Sequence, residues 1–116
     1  MKIAIIGTRT KLSGTEQTDI KYRINMIPRD AIILSGDCPT GVDDLVRLYC
    51  KGLRLFVQCC APWGHYGKAA GPMRNAVIAD FADEVIAYPR KGTSTGTRGC
   101  VRLFEELGKK VEVNEL

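Results

Sequence analysis

Three segments of the chain combine glycine with small hydroxyl residues, the composition that lets a backbone approach and hold an anion. They are Gly7-Thr8-Arg9-Thr10, Ser35-Gly36-Asp37-Cys38-Pro39-Thr40-Gly41-Val42-Asp43, and Pro89-Arg90-Lys91-Gly92-Thr93-Ser94-Thr95-Gly96-Thr97-Arg98-Gly99. Glycine permits close approach and positive φ, and amides at the start of a following helix present partial positive charge. A phosphate is the natural guest. The third segment is the richest, with Gly92, Gly96 and Gly99 among Thr93, Ser94, Thr95 and Thr97 just ahead of a helical pattern. A fourth segment, Ala61 to Asn75, holds the only tryptophan and the only histidine. There Trp63 and Tyr66 offer faces for a base, while Lys68, Arg74 and Asn75 can reach phosphate or ribose. Arg9, Lys68, Arg74, Lys91 and Arg98 are expected to gather on one edge. Each feature has a plainer reading beside this one: any single glycine serves to close a tight turn, Trp63 to cover the core, and His65 to sit in an exposed loop.

Asp43 falls in the first turn of its helix, where a carboxylate is favoured by about 0.3–1 kcal/mol in any protein. Among amides that attract phosphate it would suit ribose hydroxyls instead, or act as a catalytic acid–base if the protein is an enzyme. The Gly36 to Gly41 spacing is Gly-x-x-x-x-Gly, but Val42-Asp43 follows where a triphosphate-binding loop places Lys-Ser/Thr, and Gly7-Thr8-Arg9 lacks the Gly-x-Gly-x-x-Gly of a dinucleotide turn. Cys38, Cys50, Cys59, Cys60 and Cys100 form no Cys-x-x-Cys pair and have one histidine for company, so neither a metal site nor a disulfide framework is expected. No cofactor is implied. Cys59 and Cys60, adjacent in a strand-like run, are expected to be small core residues on opposite faces.

Positioning these loops requires elements that end at them. Lys2–Ile6, Ala31–Leu34, Leu55–Cys60, Glu84–Tyr88 and Lys110–Val113 are short apolar runs, near-continuous rather than alternating, which predicts strands covered on both faces of a parallel sheet. Between them, Val42, Leu45, Val46, Tyr49, Cys50 and Leu53 keep helical spacing, as do Cys100, Val101, Phe104 and Leu107 before Gly108. Ser13-x-x-Glu16 reads as a capping box opening a helix that runs to Ile27, and Pro72 suits the first turn of one ending near Phe81. The order βαβαβαβαβ predicts a three-layer α/β/α Rossmann-like sandwich with a mostly parallel five-stranded sheet, whose ligands sit at the carboxyl ends of the strands.

At 116 residues, with 45% hydrophobic and 26% charged content, the chain reads as one globular domain over 1–116. The first apolar run is too short for a signal peptide and no stretch suits a membrane span, so a cytoplasmic protein is expected. The net charge of +4 is mild and few aromatics fall in suitable loops, which argues against a nucleic-acid partner.

Together these pieces resemble the SLOG superfamily, which includes the LONELY GUY phosphoribohydrolases and the Smf/DprA proteins, and within it the small YspA-like branch. Ile5-Ile6-Gly7-Thr8-Arg9, Ser35-Gly36 through Gly41-Val42-Asp43, Trp63 with Gly67-Lys68-Ala69-Ala70-Gly71-Pro72-Met73-Arg74-Asn75, Ala82 to Ala87, and Gly96-Thr97-Arg98-Gly99 carry the likeness. The resemblance implies a nucleotide or nucleotide-derived ligand, of the ADP-ribose or cyclic-nucleotide type, held by a stand-alone sensor or sequestering protein in antiviral signalling or counter-defence, and a homodimer or higher oligomer. LONELY GUY enzymes place a glutamate three residues after Gly-Thr of their glycine-rich loop. Here Cys100 stands there. Hydrolysis through an oxocarbenium-like transition state needs a carboxylate beside the sugar. An N-glycosidase, phosphoribohydrolase or transferase acting on nucleoside 5′-monophosphates would therefore depend on Asp43, or less plausibly Asp37.

Overall fold

The computed structural model describes residues 1–116. In chain order the elements are β1 (Lys2–Gly7), α1 (Gly14–Asn25), β2 (Ile32–Ser35), α2 (Gly41–Cys50), β3 (Leu55–Gln58), α3 (Trp63–Tyr66), α4 (Ala70–Phe81), β4 (Glu84–Tyr88), α5 (Thr95–Glu106) and β5 (Lys110–Val113). A 3₁₀ turn over Gly67–Ala69 joins the single turn of α3 to α4. The five strands form one sheet in the order β3-β2-β1-β4-β5, and every pairing is parallel. The expected Rossmann-like sandwich is therefore present, with a sheet parallel throughout.

The pleat sorts the core into two layers. Ile3, Ile5, Ile33, Ile86 and Tyr88 pack with Ile20 and Ile24 of α1 and Val42 and Val46 of α2. Their neighbours Ala4, Ile6, Leu34, Val85 and Ala87 face the other way, onto Ile78 and Ala79 of α4 and Cys100, Val101 and Phe104 of α5. β1, β2 and β4 are covered on both faces, which is why their sequences run apolar without a break. β3 differs: Leu55 and Val57 are exposed, because no helix lies over them on the α4 side.

Helix ends follow local chemistry. Ser13 and Glu16 form the expected capping box of α1, whereas the N-caps of α2 and α5, Thr40 and Ser94, make no side-chain cap. Gly108, at φ +70, ends α5, and Lys109 Nζ then binds the carbonyls of Ala79, Asp80 and Ala82 that terminate α4. α1 stops at Asn25 rather than Ile27. α2 stops at Cys50, leaving Leu53 exposed, and Leu107 likewise lies outside α5 and is exposed. β3 ends at Gln58, so Cys59 and Cys60 sit in a loop; Cys59 is half-buried against the core, but Cys60 is exposed and is no core residue.

The last residues run on beside the exit of β4. Asn114 N donates to Ala87 O and Leu116 N to Pro89 O, each at 2.8 Å, and Leu116 O accepts from Lys91 N at 2.9 Å. The tail thus pins the start of the β4–α5 loop.

Candidate functional site

Strand order reverses between β1 and β4, and at such a reversal the loops on either side part to leave a crevice at the carboxyl ends. Here the crevice is a cavity of about 400 Å³, within the ~300–1,000 Å³ of small-molecule sites. Three loops and the first turn of α4 surround it.

The floor is built by close backbone approach. A Cβ on Gly7 would lie 2.5 Å from Val42 Cγ2 and 2.7 Å from the Tyr88 carbonyl. Gly41, at φ +73, would place one 2.0 Å from the Thr8 carbonyl. That carbonyl already accepts from Val42 N at 3.0 Å, so the β1–α1 and β2–α2 loops are clamped together. Beside the clamp, the guanidinium of Arg9 is exposed and meets no acceptor in the chain.

Asp43 enters the cavity from the first turn of α2 and is only 7% exposed. Ser35 Oγ lies 2.7 Å from Ile5 O and 3.0 Å from Asp43 Oδ1, while Cys38 N donates to Asp43 Oδ2 at 3.3 Å. The single hydroxyl proton of Ser35 faces two acceptors, and it satisfies both sites when Asp43 carries a proton of its own to donate. Burial pushes the Asp43 carboxyl above its ordinary range, against the opposing pull of Ser35 and Arg74. Its neighbour Asp37 is bound differently. It ion-pairs with Arg74 Nη1, accepts from Ala61 N at 2.9 Å, and accepts from Trp63 Nε1 at 3.3 Å. Asp37 therefore fixes Arg74 and the β3–α3 loop. A Cβ on Gly36 would sit 2.5 Å from Asp43 Oδ2 and 2.9 Å from Arg74 Nη1, so only glycine leaves room for both side chains.

The opposite wall is the N-terminus of α5. Ser94 adopts φ 67, a left-handed conformation rare for a residue with a side chain, held by Arg90 N donating to Ser94 Oγ at 3.0 Å. The first chain acceptor in the helix serves Arg98 N, which donates to Ser94 O, and the amides of Thr95, Gly96 and Thr97 find no acceptor. Those amides and the surrounding hydroxyls border the cavity. Asn75 Nδ2 ties the same turn to α4 by donating to Gly96 O at 3.3 Å. Cys100 closes the cavity floor, and burial drives its thiol up to about 12, so it is a neutral, unreactive group.

No family model matches this chain, and no solved structure matches it. It is 28% identical over 115 residues to the Gene 61 protein of Mycobacterium phage D29, covering 92% of this chain and 90% of that protein.

The cavity brings together Gly7, Thr8, Arg9, Gly36, Asp43, Arg74, Asn75, Thr93, Ser94, Thr95, Gly96 and Thr97. Six expected site residues do not line it. Ser35 lies buried behind Asp43, and Gly41 is the pivot of the backbone clamp. Trp63 leans on Gly71 instead, Lys68 is exposed beyond the rim, and Gly92 is in the outer turn. Arg98 turns away to Thr93 O, Arg90 O and Glu115. The expected gathering of five cations is thus reduced to Arg9 and Arg74, since Lys68, Lys91 and Arg98 are absent from the lining. Sequence reasoning missed Ile6, Thr10, Cys38, Gly71, Pro72, Ile78 and Cys100 as lining residues. Thr10 and Cys38 lie in loops whose composition already points to a ligand, and Cys100 follows Gly96 by one helical turn, but Ile6 and Ile78 carry only a core signal.

Proposed function

We propose that the cleft binds a nucleotide or nucleotide-derived small molecule of the ADP-ribose or cyclic-nucleotide type, and that the protein senses or sequesters it. The observation that carries this reading is the set of three amides at the α5 N-terminus without acceptors, facing Arg9 across the strand-order reversal. A phosphate there receives the helix dipole, the amides and a free guanidinium at once. Ribose hydroxyls suit Asp43 and Arg74, which already hold complementary donors and acceptors. Similarity to a phage protein fits a setting in the host cytoplasm; no helix is long and apolar enough to cross a membrane.

A second reading is favoured by Asp43 itself. A largely buried carboxyl at the cleft floor, its pKa raised by burial above the ordinary carboxylate range, is the kind of group general acid–base catalysis uses. In that case the protein cleaves or transfers the N-glycosidic bond of a nucleoside 5′-monophosphate.

The deciding measurement is calorimetric titration with AMP, ADP-ribose and cyclic ADP-ribose, with inorganic phosphate as control. Micromolar binding of at least one nucleotide, weakened about tenfold by Arg9→Ala, is expected, a tenfold loss corresponding to about 1.4 kcal/mol. Binding no tighter than millimolar for all of them overturns the proposal. Release of free base from AMP, abolished by Asp43→Asn, would establish the second reading in place of the first.

A further inference from the structure

Arg90 follows Pro89 at the exit of β4, and it borders no part of the cleft. Its backbone nonetheless holds one wall. Arg90 N donates to Ser94 Oγ at 3.0 Å, and Arg90 O accepts from Thr93 N and Arg98 Nη2, each at 3.1 Å. Its guanidinium holds the other. Nη1 and Nη2 fork onto Glu16 Oε2 and Oε1 at 3.0 and 3.1 Å, Nη2 also donates to Lys11 O at 3.2 Å, and Nε donates to Thr10 Oγ1 at 2.6 Å. One residue thus ties the β4–α5 loop to the β1–α1 loop across the strand-order reversal.

The bond to Thr10 decides where protons go. Thr10 Oγ1 lies 2.9 Å from Thr8 Oγ1, and Thr10 N donates to Thr8 Oγ1 at 3.2 Å. Of the two hydroxyl protons, one is used between these oxygens and the other meets no acceptor in the chain. A guanidinium donating to Thr10 Oγ1 makes the Thr10 proton the better donor, because a charge-assisted hydrogen bond polarises the one that follows it. Thr10 then donates to Thr8, whose oxygen has both lone pairs filled by Thr10, and the Thr8 proton is the one left over. Thr8 is only 3% exposed and borders the cavity. A buried hydroxyl with a proton still to donate calls for an acceptor, and the cavity is where one can enter.

We propose that Arg90 is a positioning residue for the ligand: it fixes the two walls against each other and orders the Thr10–Thr8 hydroxyl chain so that Thr8 donates to an oxygen of the bound molecule. This rests on the proposed function and sharpens it. Arg9, the free amides of Thr95, Gly96 and Thr97, and Thr8 in this state all donate, so the group they receive is one that only accepts, an ionised phosphate.

Calorimetric titration with AMP and ADP-ribose tests the assignment. Thr10→Val keeps the shape of the side chain and deletes the hydroxyl, whereas Arg90→Lys keeps the charge but cannot hold Thr10 and Glu16 together. Each should weaken nucleotide binding about tenfold and Thr10→Ser restore it to within about twofold of wild type, while Arg90→Lys/Thr10→Val should lose no more than about twentyfold, because both changes act through one chain of bonds. An Arg90 that merely stabilises the fold gives losses that multiply. In the ligand-free protein, the Arg90 Nε proton should give a slowly exchanging NMR signal at neutral pH that Thr10→Val abolishes. Variants that bind as tightly as wild type, losses that multiply, a Thr10→Ser no better than Thr10→Val, or an Nε signal indifferent to Thr10→Val overturn the proposal while leaving the proposed function intact. A wild type that binds neither nucleotide overturns the proposed function and this role with it, even where the Nε signal, which needs no ligand, is present. Should Arg90→Lys fail to fold, Thr10→Val against Thr10→Ser still decides.

Discussion

Asp43 shows how position changes what a residue means. Its first-turn location is legible in the sequence and accounts for a carboxylate in many helices, but the contact with Ser35 and the burial that raises its pKa arise only when β2 and α2 are brought together. A carboxyl whose folded pKa lies above its unfolded value adds stability that is complete below the unfolded value and is lost as pH rises through the folded one. The ordinary value is 3.8, so the charge on Asp43 disfavours the fold above that range. Asp43→Asn should therefore stabilise the protein at neutral pH, by on the order of 1 kcal/mol, the ordinary scale for one substitution. The gain over wild type should shrink to nothing as pH falls to 3.8 and below. Urea titrations of both proteins across pH 3–8 check this; a gain that grows toward acid pH contradicts the assignment. Asp37 teaches the converse. As a residue type it resembles a spare acid for catalysis, yet its bonds to Arg74, Ala61 and Trp63 make it a brace, and no spacing rule could reveal partners 24 to 37 positions away.

Among the elements, the contrast between capped and uncapped helices follows their place in the fold. α1 begins away from the cleft and closes its first turn with Ser13 and Glu16. α2 and α5 begin at the cleft, and their caps leave side chains off the amides. β4 and β5 begin and end where their apolar runs do, because those runs are bounded by sharp breaks; α3 is not legible in the sequence, since Trp63–Tyr66 lacks the length for a helical period. β3 misleads, because its apolar composition suits two-sided cover but its place at the end of the sheet supplies cover on one side only. The βα turn at Gly41 is the most demanding junction. Gly41→Ala forces a Cβ to 2.0 Å from the Thr8 carbonyl at φ +73. A loss of at least about 2 kcal/mol is expected from strain plus displaced backbone, measured as a lower urea midpoint with unchanged slope.

Across the whole molecule the cleft joins two halves of one sheet. Loops from β1 and β2 form one side and the β4–α5 loop the other, so a ligand spanning them would add to the links the halves already share, the β1–β4 pairing and the bonds of Arg90 to Thr10 and Glu16. AMP or ADP-ribose, whichever binds, should slow amide exchange at Gly36–Thr40 and Thr93–Thr97 at least tenfold more than in the core of β1, where protection is already high. Uniform slowing, or none in the β4–α5 loop, would place the ligand elsewhere. The doubly wound plan is readable from alternating strand and helix periods and from the glycine-rich strand ends. Which cations converge is not, because Arg98 and Arg90 take backbone and carboxylate partners that only the folded chain supplies.

The hydrogen bonds of Asn114 to the end of β4, and of Leu116 to Pro89 and Lys91 in the β4–α5 loop, make residues 114–116 a remote support for the amides of α5. Loosening that segment would touch nothing in the cleft, yet it would unfasten the strap behind one wall of it. On the proposed function, nucleotide affinity then depends on Asn114 and Leu116 although neither lines the cleft.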